Sequence, residues 1–331
     1  MKTALITGVL GQDGSYLAEH LLSLGYRVFG LIRKSPFSSK YAQGWLMKHL
    51  WKDRIEFLYG DMRDEQSLRT AIKKAWPDEI YNLAGQVFVP LSWELPEETL
   101  DVNVGGLSRL LKILEQVKKD AKVYQASSSE MYGNHEGACD DKTPMFPSSP
   151  YGVSKFAAHR LCGLYRDRGL FVVAGILFNH ESPRRGHEMV TRKIARKVAE
   201  WALGSEEKLA LGNIVSRRDW GFAGEYVKAM HMMLQQERPT DYVVGTGKSH
   251  SVAEFLTAAC DAAGVSQKFM QDHLATDQRM VRTQEIYDMR ADNSKIERIL
   301  GWKPQVQFEE LVQLMVDAEM EALNAEGELV R

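Results

Sequence analysis

Short runs rich in β-branched and aromatic residues alternate along the first half of the chain with stretches whose leucines recur at helical spacing. Strands are predicted over 2–7, 27–32, 55–58, 79–83, 122–126 and 171–178. Between them, a helix over 15–24 puts Leu17, Leu21, Leu22 and Leu24 on one side, and Leu107, Leu110, Leu111 and Leu114 form a similar stripe. Such alternation demands a parallel sheet covered by helices on both faces, so residues 1–180 are expected to form a doubly wound α/β domain. Beyond Phe178 the rhythm becomes irregular, with helices predicted over 190–203, 225–236, 252–263, 294–300 and 309–325. Residues 181–331 are therefore expected to be mainly a smaller substrate lobe, part of which returns to the sheet.

The first strand runs into Gly8, Gly11 and Gly14, with Gln12 and Asp13 between the last two. Glycine is wanted at each place: for the tight turn, for backbone approach to a pyrophosphate, and for close packing of helix on strand. The following helix N-terminus offers free N–H groups to the anion. In the dinucleotide folds that bind NAD, a carboxylate at the tip of the second strand holds the adenine ribose. Here that tip reads Arg33-Lys34-Ser35, two cations and a hydroxyl suited to a 2′-phosphate, so NADP is the expected cofactor. The next strand ends place Asp61 and Met62 toward the adenine, and Leu83, Ala84 and Gly85 toward the nicotinamide.

Composition narrows the partners. The 42 Lys and Arg nearly balance the 44 Asp and Glu, so no bulk field exists to hold nucleic acid or an anionic membrane. The longest apolar stretch, 170–178, is far short of a membrane span, and a cytoplasmic location is expected. Three cysteines without a C-x-x-C, and histidines without H-E-x-x-H, indicate neither a disulfide framework nor a metal site.

Candidate chemistry lies downstream of the fifth strand. Tyr151 and Lys155 stand at i and i+4, on one face of a predicted helix opening at Ser149-Pro150. A phenol is a poor base at neutral pH, but a neighbouring ammonium and an oxidised nicotinamide favour its phenolate, which can then take a proton from a carbinol. The fifth strand ends in Ser127-Ser128-Ser129-Glu130, at the carboxyl edge where open α/β sheets bind ligands, and so brings a hydroxyl and a carboxylate to the same place.

These features resemble the extended short-chain dehydrogenase/reductase superfamily. Within it, the strings Gly11-Gln12-Asp13-Gly14-Ser15-Tyr16-Leu17, Gln125 to Gly133, Gly175 to Gly186, Val190 to Lys193 and Arg217 to Gly221 resemble the GDP-mannose 4,6-dehydratase family. The resemblance implies an NADP-dependent intramolecular redox reaction on a GDP-sugar. Tyr151, aided by Lys155 and a relay through Ser128, would deprotonate the C4 hydroxyl. Glu130 would remove the C5 proton and help expel the C6 hydroxyl as water. It also implies cofactor contacts at His180 and Arg185, and substrate contacts at Asn179, Lys193, Arg218, Arg282 and Glu285. Gln86, Val87, Ser128, Val190, Leu211 and Gly212 would complete the substrate pocket. A homodimer or homotetramer is implied as well.

The sequence departs from the family at several places. Serine replaces the usual threonine at 128, and Arg282 to Tyr287 lacks the family's proline and aspartate. Val87 takes the place of a serine near the sugar, and the stretch 34–45 diverges from a loop that joins dimers into tetramers. These changes leave room for a related sugar such as GDP-manno-heptose. A GDP-4-keto-sugar reductase or an epimerase would share the scaffold, but neither needs a base at C5, which argues for Glu130 as the discriminating residue.

Overall fold

The computed structural model describes residues 1–33, 54–278 and 284–329, with side chains placed through residue 325 in the last segment. Arg282 and the whole of the divergent stretch 34–45, Lys34 and Ser35 included, lie outside the described residues.

Seven parallel strands build the central sheet: β1 (Thr3–Thr7), β2 (Arg27–Ile32), β3 (Ile55–Tyr59), β4 (Glu79–Asn82), β5 (Lys122–Ser128), β6 (Phe171–Leu177) and β7 (Tyr242–Val244). Their order is β7-β6-β5-β4-β1-β2-β3, so the chain starts at the centre, winds to one edge and then crosses to the other. The direction of winding reverses between β1 and β4, and ligands of such sheets bind above that crevice. The α/β doubly wound fold is as expected.

The helices that cover the sheet follow the predicted leucine stripes. Alternation along each strand divides the core: Ala4 and Ile6 face one layer while Leu5 faces the other. On the first face lie α1 (Gln12–Ser23), through Leu17, Ala18, Leu21 and Leu22, and residues of a helix later in the chain. On the second lie α2 (Glu65–Ala75), α3 (Gly106–Val117) and α4 (Pro150–Asp167), whose Leu68, Leu110, Leu111 and Cys162 are buried together. The N-cap of α4 is Ser149, whose hydroxyl accepts from Gly152 N at 3.0 Å, and Pro150 occupies a first-turn position where no N–H is missed.

A second lobe is built from α5 (Val190–Ala202), α7 (Val252–Ala263) and α8 (Phe308–Leu329) around Ile194, Val198, Phe255, Leu256, Val312 and Val316. Between α5 and α7 in the chain, α6 (Ala223–Leu234) supplies a further helix of the sheet's first face, through Tyr226, Val227, Met230 and Met233. The residues after 180 therefore serve both layers: α6 covers the sheet and β7 extends it beside β6, with Tyr242 opposite Gly175.

Two boundaries differ from the predicted ones for a reason that matters to the site. Helix α1 begins at Gln12, three residues before the predicted start, so Gly14 lies within its first turn. Strand β5 runs two residues beyond the predicted end because Ser127 and Ser128 pair with Ile176 and Leu177 of β6. Ser128 is thereby held on the rigid sheet.

Candidate active site

The glycine turn is shaped by contacts that no side chain could share. Gly8 has φ +70°, and a Cβ there would lie 2.9 Å from Ala84 N; a Cβ on Gly14 would lie 2.3 Å from Gly8 O. Gly11 caps α1 without a side-chain hydrogen bond, leaving the first-turn N–H groups for an anion. Opposite this turn, Thr7 Oγ1 accepts from Leu83 N and Ala84 N at 3.1 and 3.0 Å and donates to Asn82 Oδ1 at 2.7 Å. The threonine ends β4 at Asn82, one residue before the predicted end, and turns the following backbone toward the crevice. A flat cradle of backbone with no Cβ in the way fits a dinucleotide.

Arg33 leaves β2 exposed to solvent, and its charge acts on Asp61 at the end of β3. Burial works against the Asp61 carboxylate, but hydrogen bonds from Arg63 hold it below its ordinary pKa. Met62 is buried, with its carbonyl accepting from Arg109 at 3.1 Å.

On the other side of the turn, Asp13 and His180 form an ion pair at 2.8 Å. The second ring nitrogen of His180 lies 2.8 Å from Phe178 O. A carbonyl and an ionised carboxylate both accept, so the two ring nitrogens are each placed to donate, an arrangement that favours the imidazolium. Burial opposes that charge, yet the Asp13 carboxylate prevails and lifts the histidine above its ordinary pKa. Gln12 completes the link by donating to His180 O at 3.0 Å and accepting from Ser182 at 2.8 Å. Arg185 pairs with buried Glu181 at 3.1 Å. Gln12, Asp13, His180 and Arg185 thus form one connected patch beside the cradle.

The four expected catalytic groups also converge. Ser128, Tyr151 and Lys155 are 9, 8 and 6% exposed. Burial pushes the Tyr151 phenol up to about 12; the Ser128 hydrogen bond and the Arg185 charge oppose the rise, and the charge of Glu130 adds to it. Burial lowers the Lys155 ammonium to about 8, against the pull of Asp13. The ammonium donates to Ala126 O at 3.1 Å and stands 5.7 Å from the centre of the Tyr151 ring. Glu130, half-buried, sits in the short 3-10 turn that follows β5, and its backbone N–H donates to Ser128 Oγ at 3.2 Å. The turn packs tightly under α4: a Cβ on Gly152 would lie 2.8 Å from Glu130 O. The carboxylate is close enough for its charge to act on the phenol.

Asn103 and Ser92 were not among the expected residues. Asn103 lies in a single π-helical turn, Asp101–Gly105, ahead of α3. It accepts from Gln86 N at 2.9 Å and donates to Gln86 O and Ser154 Oγ at 3.0 and 2.9 Å, tying the strand β4 exit to α4. Ser92 accepts from Tyr151 N at 3.1 Å. A polar residue ahead of Gly105-Gly106, where the leucine stripe had not yet begun, was the available signal for the π turn.

Of the expected substrate contacts, Arg218 is buried, donates to Ile286 O at 2.7 Å and lies 3.6 Å from Glu285. Lys193 donates to Ala210 O at 2.7 Å, beside Leu211 and Gly212. Asn179 lies on the short strand Asn179–Glu181, paired with Trp220–Phe222, and Val190 opens α5. The Gln86 amide donates to Phe88 O and Thr99 Oγ1 at 3.0 and 3.2 Å, which ties its loop to the helix Pro96–Leu100. Val87 beside it is 45% exposed. Among the described residues no group of three or more His, Cys, Asp or Glu could hold a metal, and no helix is long and apolar enough to cross a membrane.

The profile of a family described as GDP-mannose 4,6 dehydratase matches residues 5–315. GDP-mannose 4,6 dehydratase 1 of Arabidopsis thaliana is 46% identical, the alignment taking in 98% of this chain and 91% of that protein. The human GDP-mannose 4,6 dehydratase is 41% identical over 97% of this chain and 92% of its own. Among solved structures, the UDP-glucose 4-epimerase of Thermus thermophilus, in complex with NAD, matches with a TM-score of 0.82 at 25% identity, covering 96% of this chain and 99% of that one.

Proposed function

The chain belongs to the GDP-mannose 4,6-dehydratase family, and we propose that it converts GDP-mannose to its 4-keto-6-deoxy derivative with NADP as cofactor. The observation that carries this reading is the meeting of Glu130 with Ser128, Tyr151 and Lys155 at the end of β5. A nicotinamide bound there would supply the acceptor for the C4 hydride and the donor for its return at C6. Tyr151 takes the proton of the C4 hydroxyl through or beside Ser128, while the Lys155 ammonium favours the phenolate. The C4 ketone acidifies C5, where Glu130 removes the proton and then protonates the departing C6 hydroxyl. The glycine cradle and the Gln12–Asp13–His180–Arg185 patch are the proposed seat of the cofactor, with Arg33 taking the 2′-phosphate. Arg218, Lys193, Asn179 and Glu285 are proposed to hold the GDP end.

Incubation with GDP-mannose and either cofactor tests this. NADP is expected to support formation of a 4-keto product, read by its absorbance in alkali, at lower concentration than NAD. No product from GDP-mannose, with product from a GDP-heptose, would move the substrate; equal use of NAD would remove Arg33 from its role. The heptose reading is favoured by Val87, whose exposed apolar side chain widens what the neighbouring wall can accept.

The Lys155 charge sets an expected pH limit. Because its folded-state pKa is lowered to about 8, the ammonium is present below that pH and lost above it. Turnover should therefore decline as the pH rises through about 8, and a kcat profile flat to pH 10 would remove the ammonium from the mechanism.

A cytoplasmic homodimer or homotetramer is proposed too. Trp93 on the helix Val89–Glu94 and Leu164 on α4 are 58 and 56% exposed, apolar side chains of the kind that a second copy would cover. The buried free thiols Cys139, Cys162 and Cys260 suit a reducing compartment. Sedimentation velocity would give the assembly state.

A further inference from the structure

Helix α4 grips the end of β5 on three successive turns. Tyr151, Lys155 and His159 stand at i, i+4 and i+8; the first hydrogen-bonds Ser128, the second donates to Ala126 O at 3.1 Å, and the third has Nδ1 3.1 Å from Ser127 Oγ. The first two rungs belong to the site already described. The third does not, since successive strand residues point to opposite faces and Ser127 faces the helix instead of the crevice.

His159 is held from behind as well. Its Nε2 lies 3.8 Å from Asp241 Oδ2. Asp241 pairs with Arg166 and accepts from Ala174 N of β6 at 2.8 Å. At that distance the contact with Asp241 is electrostatic, and the Ser127 hydroxyl can serve Nδ1 as donor or acceptor. Burial, the largest influence, lowers the pKa of the ring against the pull of Asp241. The order serine, histidine, aspartate is that of a hydrolase triad, but Ser127 is only 4% exposed and pinned under α4, where no acyl group could reach it.

We propose that His159 is a positioning residue for the dehydration: by fixing Ser127 to α4 against the Asp241–Arg166 pair, it sets the distance at which Ser128 meets Tyr151. The end of β5 is fixed by its pairing with β6, so releasing Ser127 lets α4, which carries the phenol, shift against it. Misplacement of reacting groups by less than an ångström is costly to the chemical step while leaving remote binding contacts intact. The inference rests on the proton-transfer roles given above to Ser128 and Tyr151.

The test uses the full chain with NADP and GDP-mannose, comparing the parent with His159→Leu, Ser127→Ala, the double variant, and His159→Asn, whose amide can still meet Ser127. Each single loss is expected to lower kcat roughly tenfold with KM and NADP affinity within about twofold of the parent. The double variant should be no worse than the worse single, and His159→Asn should recover most of kcat. Unchanged kcat in both singles, additive losses, or a parallel fall in cofactor affinity would each overturn the proposal. Should His159→Leu not fold, Ser127→Ala against the parent decides alone. A parent inactive on both GDP-mannose and a GDP-heptose sinks the proton-transfer assignment and this inference with it; a parent active on either, with indifferent variants on that substrate, sinks only the latter.

Discussion

Replacing Glu130 by glutamine is expected to lower product formation by about 10²–10⁴-fold while leaving oxidation at C4 in place. Glutamine keeps the shape of the side chain but cannot take a proton from carbon. The substrate should therefore stop at its 4-keto hexose stage, recoverable as sugar labelled at C4 after a borodeuteride quench. In D2O the parent should place deuterium at C5, and the variant should not. The same change should relieve Tyr151 of a nearby negative charge, which now adds to the rise of its pKa. Normal turnover by the variant would take Glu130 out of the reaction, and with it the distinction between a dehydratase and an enzyme that works on C4 alone.

Tyr151→Phe is the second large effect, expected at roughly 10³-fold or more, and it should abolish both the C4 and the C5 events. The reason is order: C5 becomes acidic only once C4 is oxidised, and the oxidation needs the phenol. Lys155 keeps its hydrogen bond to Ala126 O in this variant, so NADP affinity should change by less than about threefold. Fluorescence titration with NADP, run beside the activity assay, separates the two. Residual C5 exchange in Tyr151→Phe would show that another group oxidises C4.

Much of this was legible in the chain because the site is built where local pattern and sheet position coincide. The leucine stripes located α1 and α3, and the alternation located six of the seven sheet strands within two residues. Glycines at 8, 11 and 14 have a steric signature that only close backbone contact explains, and Tyr151 and Lys155 share a face at fixed helical spacing. The seventh strand, Tyr242–Val244, was not placed beforehand: three residues of ladder give too short a run to show any period. Asn103 escaped for a different reason, since a π turn breaks the 3.6-residue rhythm on which helical reading depends. The His159 link was hidden because its partners Ser127 and Asp241 are 32 and 82 residues away in opposite directions, and nothing local marks such a meeting.

The late arrival of Tyr242–Val244 has a consequence for synthesis. Until Val244 has left the ribosome, β6 presents an unpaired apolar edge, and the first face of the sheet waits for Tyr226, Val227 and Met230. An open edge of that kind is a template for pairing with another nascent copy. Chains truncated before residue 240 should accordingly accumulate as aggregates, and in growing cells this polypeptide should be a client of holdases for most of its translation.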